Sequence, residues 1–458
     1  MQEINTPSHT GIDILTGDPK RAIIKLSIPV IIAMLLQSVY NLVDAIWVAG
    51  LGEGALAAVG FVTPLFLILI GLGNGLGAGV SSAISRRIGA GDRRGADRSA
   101  MQGIGIILII SAIVTPILVI FATPLAILFG AEGETALLTA EYARIVFLCT
   151  PFLLFTSVAY AIFNAEGATK KTMYAMGASA VINCILDPIL IYPAGLGIAG
   201  AAWATVISIV LVTVLIYVWL FVRRSTYITL RRSDLRLDMK TSLDIIKVGI
   251  PASLQFVMMS GVLILINAIL IMTAGTDAVA VYTAGWRVVL FSIIPLIGIS
   301  IALISVSGAS YGSRDLQRLR LVYGIAMRYG ILISLILTAA TWIFAPYLAG
   351  IFTYSAESAH LAPGITEFLR TICWFFPFVP AGMFSSSIFQ GTGRGFSALI
   401  VEFFRNLVFI SFFIWVLGIL LGYGESGVWW GVVCGNTCGG ILGYLWIRKY
   451  IRGLIRYG

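Results

Sequence analysis

Residues 23–29 read IIKLSIP, and residues 245–251, 222 positions further on, read IIKVGIP. Four more pairs of segments match, with offsets that drift only to 227. These pairs are VDAI (43–46) with INAI (266–269), GAGD (89–92) with GSRD (312–315), AIFNAEG (161–167) with SIFQGTG (387–393), and GAAW (200–203) with GVWW (427–430). Self-similarity at a nearly fixed spacing indicates that the chain consists of two homologous halves.

The amino-acid composition assigns the chain to the membrane. Hydrophobic residues make up 59% of the sequence and charged residues 11%, whereas an average soluble domain has about 25% charged residues. So few charges cannot cover a globule in water. The net charge of +9 lies mostly in loops, which leaves no soluble basic domain to bind nucleic acid. We expect contacts with anionic membrane lipids instead.

Apolar segments of about 20 residues, the length needed to cross the hydrocarbon core, occur twelve times. The predicted spans are 23–49, 56–84, 100–122, 138–163, 171–192, 199–222, 243–273, 278–305, 321–345, 364–390, 396–420 and 427–447. Each half has six spans, so both halves enter the membrane in the same direction. We therefore predict an all-α polytopic membrane protein with twelve transmembrane helices, in two six-helix bundles related by a pseudo-two-fold axis along the membrane normal.

The loops alternate in charge along the chain. Lys and Arg are concentrated in the loops 86–98, 170–171, 223–240 and 313–320 and in the tail 448–456, and the loops between them contain neither. By the positive-inside rule the basic loops and both termini are cytoplasmic. We expect a multi-pass protein of the cell membrane. The predicted domains are an N-terminal bundle (1–222), a cytoplasmic linker (223–242) and a C-terminal bundle (243–458).

Side chains typical of catalytic or metal centres are sparse. The histidines, His9 and His360, lie in the tail and in an outer loop, and the five cysteines show no paired spacing with them. A membrane enzyme would need a nucleophile with a His or a metal centre. We predict that the chain is not an enzyme and needs no cofactor. Two repeated bundles favour a transporter, because they can rock against each other around a site at their interface.

Glycine and proline mark two further features. The run GLGNGLGAG (71–79) lies in mid-span without a following Lys-Ser/Thr, so we predict close helix packing rather than a phosphate loop. Pro29 and Pro251 occupy matching interior positions of the first and seventh spans. A proline removes a helix hydrogen bond and bends the helix. We predict that Pro29 is a hinge, with a static bend as the alternative.

Carboxylates inside membrane spans need an explanation, because each costs about 2.5 to 3.5 kcal/mol at the helix centre. Asp44, Glu141, Asp187, Glu367 and Glu402 lie inside predicted spans or at their ends. The direction of each span gives the depth of its residues. Asp44, near the end of the first span, and Asp187, near the end of the fifth, both lie in the outer half of the membrane.

Other polar residues of the first half share this depth. The predicted cluster consists of Tyr40, Asn41, Asp44, Tyr142, Asn183, Asp187 and Thr205, with Gln37 on the same helix face as Asp44. Oxygen ligands of this kind suit a hard cation such as Na+, which Asp44 and Asp187 would hold. Burial beside a second carboxylate equally favours a bound proton. The counterparts in the second half are Asn267 and Phe413, so only the first half has the acid pair.

Each residue of the acid pair also has a purely structural alternative. Asp44 could form an ion pair with Arg287, and Asp187 could bind backbone groups that Pro188 leaves free. Asn183 and Thr205 could serve only as hydrogen-bonding contacts between helices.

The remaining acids have simpler interpretations. Glu402 and Arg405 stand at i and i+3, which favours a buried ion pair. Glu141 and Glu367 lie near outer helix ends, where we expect them to be solvated.

Several segments resemble the multidrug and toxic compound extrusion (MATE) family, in its archaeal and bacterial branch named for DNA-damage-inducible protein F. They are LTGDPKRAIIKLSIP (15–29), QSVYNLVDAIWVAGLG (37–52), SSAISRRIGAGD (81–92), INCILDPILIY (182–192), GIAGAAWATVIS (197–208) and AGWRVVLFSIIPLIG (284–298). The resemblance implies a V-shaped pair of bundles and export of amphipathic, often cationic compounds in exchange for Na+ or H+.

The resemblance also implies roles for particular residues. Asp44, Asn183, Asp187 and Thr205 match the branch's cation site, Pro29 matches its helix 1 bend, and Gln37, Tyr40 and Tyr142 match its N-bundle cavity. Two residues depart from the branch. Tyr160 stands in the first-bundle cavity where archaeal relatives have Asn, and Glu402 stands where we expect a neutral residue.

From these observations we predict a Na+- or H+-coupled multidrug efflux antiporter for amphipathic or cationic small molecules, working as a monomer. The alternative is a flippase or exporter of lipid-linked or polyanionic precursors from the same superfamily. It would place cationic side chains around the central cavity to hold phosphates. The candidates are Arg144, Arg287, Arg328 and Arg370.

Overall fold

A computed structural model describes residues 10–223, 225–231, 238–353 and 358–457. Within these ranges the chain is almost entirely helical and contains no strand. Residues 224 and 232–237 of the predicted linker lie outside the described residues, as does His9.

The helices follow one another with short connections. The α-helices are α1 (Thr10–Thr16), α2 (Pro19–Ala49), α3 (Glu53–Gly89), α4 (Arg93–Ile120), α5 (Ala122–Leu128), α6 (Gly133–Leu148), α7 (Thr150–Ala165), α8 (Thr169–Ile191), α9 (Gly197–Tyr217), α10 (Met239–Ala274), α11 (Thr276–Gly312), α12 (Leu316–Phe352), α13 (Ala362–Ile372), α14 (Val379–Gly391), α15 (Gly395–Phe403), α16 (Ser411–Ile414) and α17 (Gly424–Tyr457). π-Helical segments cover Val218–Val222, Phe404–Ile410 and Trp415–Leu420, and 3₁₀ turns cover Ala359–Leu361 and Cys373–Phe378.

The described helices account for the twelve predicted spans. Ten are long and apolar enough to cross a membrane by themselves, and α6 with α7, which meet at a 47° bend, form an eleventh. The twelfth is α17, which covers the predicted span 427–447. It is less apolar than the others because Asn436 and Thr437 interrupt its middle. The chain is thus an all-α polytopic membrane protein with two repeated six-helix halves.

The repeat is visible in local geometry as well as in sequence. Asp92 accepts a hydrogen bond from the Gly95 N–H at 2.9 Å at the start of α4, and Asp315 accepts one from the Arg318 N–H at 2.8 Å at the start of α12. Both acids are helix N-caps. The residues before them are left-handed, with φ of 73° at Gly91 and 58° at Arg314. The matching segments GAGD and GSRD therefore form the same turn.

The two halves pack closely at the end of the molecule that carries the basic loops, here called the basic end. The glycines at 71, 75 and 79 of α3 face α10, and those at 73 and 77 face α7. A Cβ atom on Gly75 would lie 2.6 Å from the Ser253 Cα, and one on Gly79 would lie 2.9 Å from the Gly249 N. The prediction that this run serves close helix packing is confirmed.

Polar contacts reinforce the same junction. The hydroxyls of Ser81 and Ser305 are 3.1 Å apart in a buried position. Asp244 of α10 forms ion pairs with Arg86 at 2.8 Å and with Arg87 at 3.2 Å. Among the described residues, the hydrogen bonds between the two halves lie toward the basic end or at mid-span. The halves are therefore held together at the basic end.

Two buried carboxylates fasten the described part of the linker to the first half. Glu166 is only 3% exposed, and its Oε2 accepts hydrogen bonds from the N–H groups of Tyr227 at 3.0 Å and Ile228 at 3.3 Å. Asp97 accepts one from the Thr229 N–H at 2.8 Å. Charge-assisted bonds of this kind are stronger than neutral ones. The linker is thus held on the first half before it reaches the second.

We expect Gly75→Ala to weaken the closed basic end, because the added methyl group would overlap the Ser253 backbone. Overpacking of this kind costs about 1 kcal/mol or more, which is roughly fivefold in population. The test is thiol labelling of Ser81→Cys in a cysteine-free background. Adding Gly75→Ala should make this labelling at least several times faster. Gly60→Ala is the matched control, since nothing lies within 4 Å of a Cβ atom there. Equal labelling rates in the two variants would contradict the packing argument.

Glu166 should make stability depend on pH. Burial raises its pKa from 4.5 to about 7, although Lys171 and the two linker N–H groups favour its charged form. The folded state therefore holds this proton more tightly than the unfolded state does. The contribution of Glu166 to the free energy of unfolding is largest below pH 4.5, falls as the pH rises to about 7, and is constant above that.

Replacing Glu166 with Gln should remove this dependence. Relative to the variant, the wild type should lose stability on the order of 3 kcal/mol between acid and mildly alkaline pH. Thermal unfolding in detergent across this range measures the difference, with Glu141→Gln as the exposed-acid control. Parallel pH profiles for wild type and Glu166→Gln would show that the assignment is wrong.

Candidate cation and substrate site

Four helices of the first half carry the predicted cluster toward the end opposite the basic loops. Asp44 lies on α2, Tyr142 on α6, Asn183 and Asp187 on α8, and Thr205 on α9. Helix α8 packs against both α2 and α9, and α6 packs against α9. The structure thereby brings together residues that are up to 165 positions apart in the chain, from Tyr40 to Thr205.

The closest approach of α8 and α9 depends on a glycine. A Cβ atom on Gly200 would lie 2.7 Å from the backbone carbon of Leu190. Small residues at such positions allow helices in a membrane to pack backbone against backbone. This contact sets the distance between Asn183 and Thr205, which face each other across the two helices.

The carboxyl groups of Asp44 and Asp187 lie within hydrogen-bonding reach of each other. Asp187 is fully buried, and its Oδ1 has no hydrogen-bond partner. Two carboxyl groups can share a hydrogen bond only when one of them is protonated. If both are charged, their repulsion favours the binding of a cation between them.

Asn183 connects the acid pair to α9. With its amide nitrogen facing the acid, it donates to Asp187 Oδ2 at 2.7 Å and accepts from the Thr205 N–H at 3.2 Å. The Thr205 hydroxyl is 3.4 Å from the same end of the amide. Asn183 and Thr205 are 1% and 8% exposed. Asn183 therefore contacts Asp187 directly, and Thr205 contacts it through Asn183. The same two residues join α8 to α9.

Two tyrosines border the acid pair. Tyr40 is one turn before Asp44 on α2, and its hydroxyl lies within hydrogen-bonding reach of Thr205. Tyr142 lies near Tyr40, Asp44 and Asp187. Aromatic rings are groups to which organic cations bind in proteins.

Two further polar residues of this face of α2 lie before Asp44, toward the middle of the helix. Gln37 is half-buried, and its side-chain nitrogen donates to the Asn41 side-chain oxygen at 3.4 Å, while Asn41 itself is exposed. Tyr160 differs from the other predicted cavity residues. It lies on α7 and packs against the main hydrophobic core, and no contact with the acid pair is described for it.

Sequence reasoning missed two features beside the acids. Cys184 lies close to both Asp44 and Asp187. Its i, i+3 spacing to Asp187 is the signal that could have indicated it. Just beyond the pair, the Tyr192 hydroxyl donates to the Trp47 carbonyl at 3.0 Å, so the ends of α8 and α2 are joined.

The structure decides between the alternatives for the acid pair. Among the described residues, no Lys or Arg forms an ion pair with Asp44 or Asp187, and Arg287 is exposed. The alternative of an Asp44–Arg287 pair is therefore wrong. Asp187 binds the Asn183 side chain rather than backbone groups freed by Pro188. No group of three or more His, Cys, Asp and Glu side chains that could hold a metal ion occurs in the described ranges. A bound Na+ would thus need the neutral oxygens as well.

The other acids are where the sequence suggested. Glu402 forms the predicted ion pair with Arg405 and is buried. Glu141 is exposed, and Glu367 accepts a hydrogen bond from the Ser426 hydroxyl at 2.8 Å at an exposed position. In the second half Asn267, the counterpart of Asp44, is neutral, and its side-chain oxygen is buried without a partner.

Comparison with known proteins agrees with this architecture. The model of the MatE family matches residues 29–189 and 251–416. Multidrug export protein MepA of Staphylococcus saprophyticus is 29% identical over 423 residues, which is 91% of each chain. A multidrug resistance MATE family transporter solved in an outward-facing conformation is 39% identical, with a TM-score of 0.94 over 97% of this chain and 98% of that one.

A second solved structure is equally similar. It is a MOP superfamily transporter from Pyrococcus furiosus, described as having a binding pocket of reversed polarity that suggests a different function. It is 40% identical, with a TM-score of 0.94 over 97% of this chain and 98% of that one.

Two repeated six-helix halves, closed at one end and with a buried polar site between helices of one half, define a membrane transporter. The family model covers most of both halves. The chain belongs to the MATE family of multidrug export transporters. Its relatives are transporters rather than enzymes, in agreement with the prediction for this chain.

Proposed function

We propose that the protein is a cation-coupled efflux antiporter that exports amphipathic, cationic compounds in exchange for Na+ or H+. The observation that carries the proposal is the close approach of half-buried Asp44 to fully buried Asp187, without a basic partner for either carboxyl group among the described residues. Such a pair gains stability from any cation that neutralises it.

We infer the direction of transport from the end at which the two halves are closed. The basic end is closed by the contacts of Gly75, Ser81 and Asp244. The positive-inside rule assigns this end and both termini to the cytoplasm, in a protein of the cell membrane. The acid pair then faces the outside in this conformation, where a coupling ion can enter and a substrate can leave. The related transporter solved in an outward-facing conformation supports this assignment.

The coupling is electrostatic. A cationic substrate is attracted by the negative charge of Asp44 and by the faces of Tyr40 and Tyr142. A proton or Na+ that binds at Asp44 and Asp187 removes that negative charge, so the substrate is bound less tightly and leaves outward. Thermodynamic reciprocity requires that the substrate weaken ion binding by the same factor.

The same residues can serve either coupling ion. A proton needs only the shared hydrogen bond between the two carboxyl groups. For Na+, the two acids, Asn183 and Thr205 supply the oxygen atoms that a hard cation prefers. No resident cofactor is part of this scheme, and one chain contains the whole site, so we propose a monomer.

The alternative is a flippase or exporter of polyanionic precursors, and the relative with a pocket of reversed polarity is the observation that favours it. It would require arginines at the substrate site. Here Arg144 donates to the Thr123 hydroxyl at 3.0 Å and Arg370 lies 5.1 Å from the Trp342 ring. The acid pair argues for a cationic substrate instead.

Asp44→Asn should abolish coupled export while the protein remains in the membrane, because a neutral amide neither binds the coupling ion nor attracts the substrate cation. Efflux of a fluorescent cationic dye from cells that express the protein measures this. Glu141→Gln, which removes an exposed acid of the same half, should export at the wild-type rate. Wild-type export by Asp44→Asn would eliminate the mechanism, and faster export of a polyanion by that variant would favour the alternative.

Pro29→Ala should slow the transport cycle without weakening substrate binding. Pro29 is buried in α2 about four turns from Asp44, and restoring the helix hydrogen bond would stiffen the segment between the site and the basic end. Initial rates of dye efflux, with equilibrium dye binding measured alongside, separate the two effects. Pro251→Ala, at the matching position of the half that lacks the acids, should have the smaller effect. Equal slowing by both substitutions would remove the hinge role.

A further inference from the structure

A long apolar groove lies on the second half, away from the acid pair. Its volume is about 850 Å³, and its walls are formed by Phe409 of the π-helical segment Phe404–Ile410 and by one face of α17. Along α17 the groove runs from Cys438 past Leu442 and Leu445 to Lys449. Leu445 is 60% exposed, so the groove opens to the surroundings of the protein rather than into its core.

The wide turns of the π-helical segment help to explain why a groove is present here. π-Helical turns within membrane helices are uncommon and often occur at functional sites. The buried Glu402–Arg405 ion pair lies where this π-helical segment begins, and Arg405 packs against Gly439 of α17. The side of α17 that bears Cys438 and Leu442 is left uncovered.

The length of the groove matches one leaflet of a bilayer. Cys438 and Lys449 are eleven residues apart on one helix, which corresponds to about 16 Å of rise. Half of the hydrocarbon core is about 15 Å thick. The groove therefore extends from the middle of the membrane to the headgroup level at the basic end.

The headgroup end of the groove is positively charged. Lys449 lines it beside Tyr450, and the Arg394 guanidinium lies 4.9 Å from the centre of the Tyr450 ring. Neither cation has a carboxylate within ion-pair distance in the part of the chain that the structure describes. The Tyr450 hydroxyl is shielded from water and makes no hydrogen bond of ordinary geometry, although Thr392 and Arg394 lie near it. Two cations without a carboxylate partner among the described residues suit a phosphate.

We infer that the groove is a binding site for an anionic phospholipid of the leaflet at the basic end. One acyl chain lies along Leu442 and Leu445 and ends near Cys438. The phosphate lies between Lys449 and Arg394. A zwitterionic lipid would fill the same groove but would gain less from the two cations, so the site selects for net negative charge.

The test is native mass spectrometry of the purified full-length protein with equal amounts of phosphatidylglycerol and phosphatidylcholine of identical acyl chains. The wild type should retain phosphatidylglycerol at least about fivefold better, since one Lys or Arg near an anionic lipid is worth about 1 kcal/mol. Lys449→Glu should abolish this preference. The matched control is Arg452→Glu, on the exposed side of the same helix and outside the groove, which should keep it.

A second variant tests the acyl chain separately. Leu442→Trp should fill the groove and reduce retention of both lipids without changing their ratio. Equal retention of the two lipids by the wild type, or equal loss of preference in Lys449→Glu and Arg452→Glu, would overturn the proposal. Competition by inorganic phosphate as strong as by phosphatidylglycerol would do the same, because it would show an anion site that does not use the groove.

Discussion

The close approach of the Asp44 and Asp187 carboxyl groups is the interaction on which coupled transport by this protein would depend. Two carboxyl groups in an apolar environment repel each other unless a proton or metal cation neutralises them. Among the described residues, no Lys or Arg of the surrounding helices pairs with either acid. They instead supply an amide from Asn183 and a hydroxyl from Thr205, which leaves the binding of a cation as the way to relieve the repulsion.

The repeat shows that the acid pair is an addition to a scaffold that does not need it. The second half forms the same caps, the same left-handed turn and the same buried proline as the first, yet it has Asn267 where the first half has Asp44. The scaffold is therefore stable without an acid at this position. The closure at the basic end uses both halves equally, whereas the charged site belongs to one of them. This division suits a transporter in which one half binds the ion and both halves move relative to each other.

Much of the fold and part of the site could be predicted from the sequence. The spans follow from the length of apolar segments, and Gly75 and Gly79 in mid-span indicated helix packing because only glycine permits such close approach. Asp44 and Asp187 were found because a charge in a span is rare and the direction of the spans gives depth. The exposure of Arg287 and the closeness of Cys184 to the acid pair were not predicted, since the direction in which a side chain points depends on how each helix is rotated against its neighbours. The π-helical turns at Phe404–Ile410 could not be predicted either, because the spacing of apolar residues in this segment does not distinguish them from α-helical turns.

The most direct test of the central claim is dye transport by the purified protein in proteoliposomes under an imposed Na+ gradient and then under an imposed pH gradient, with the membrane potential held at zero. We predict that one of these gradients drives a fluorescent cationic dye against the direction of ion flow, and that Asp187→Asn, which keeps the shape of the site, responds to neither. Dye movement that is the same with and without both gradients, or that persists in Asp187→Asn, would contradict it.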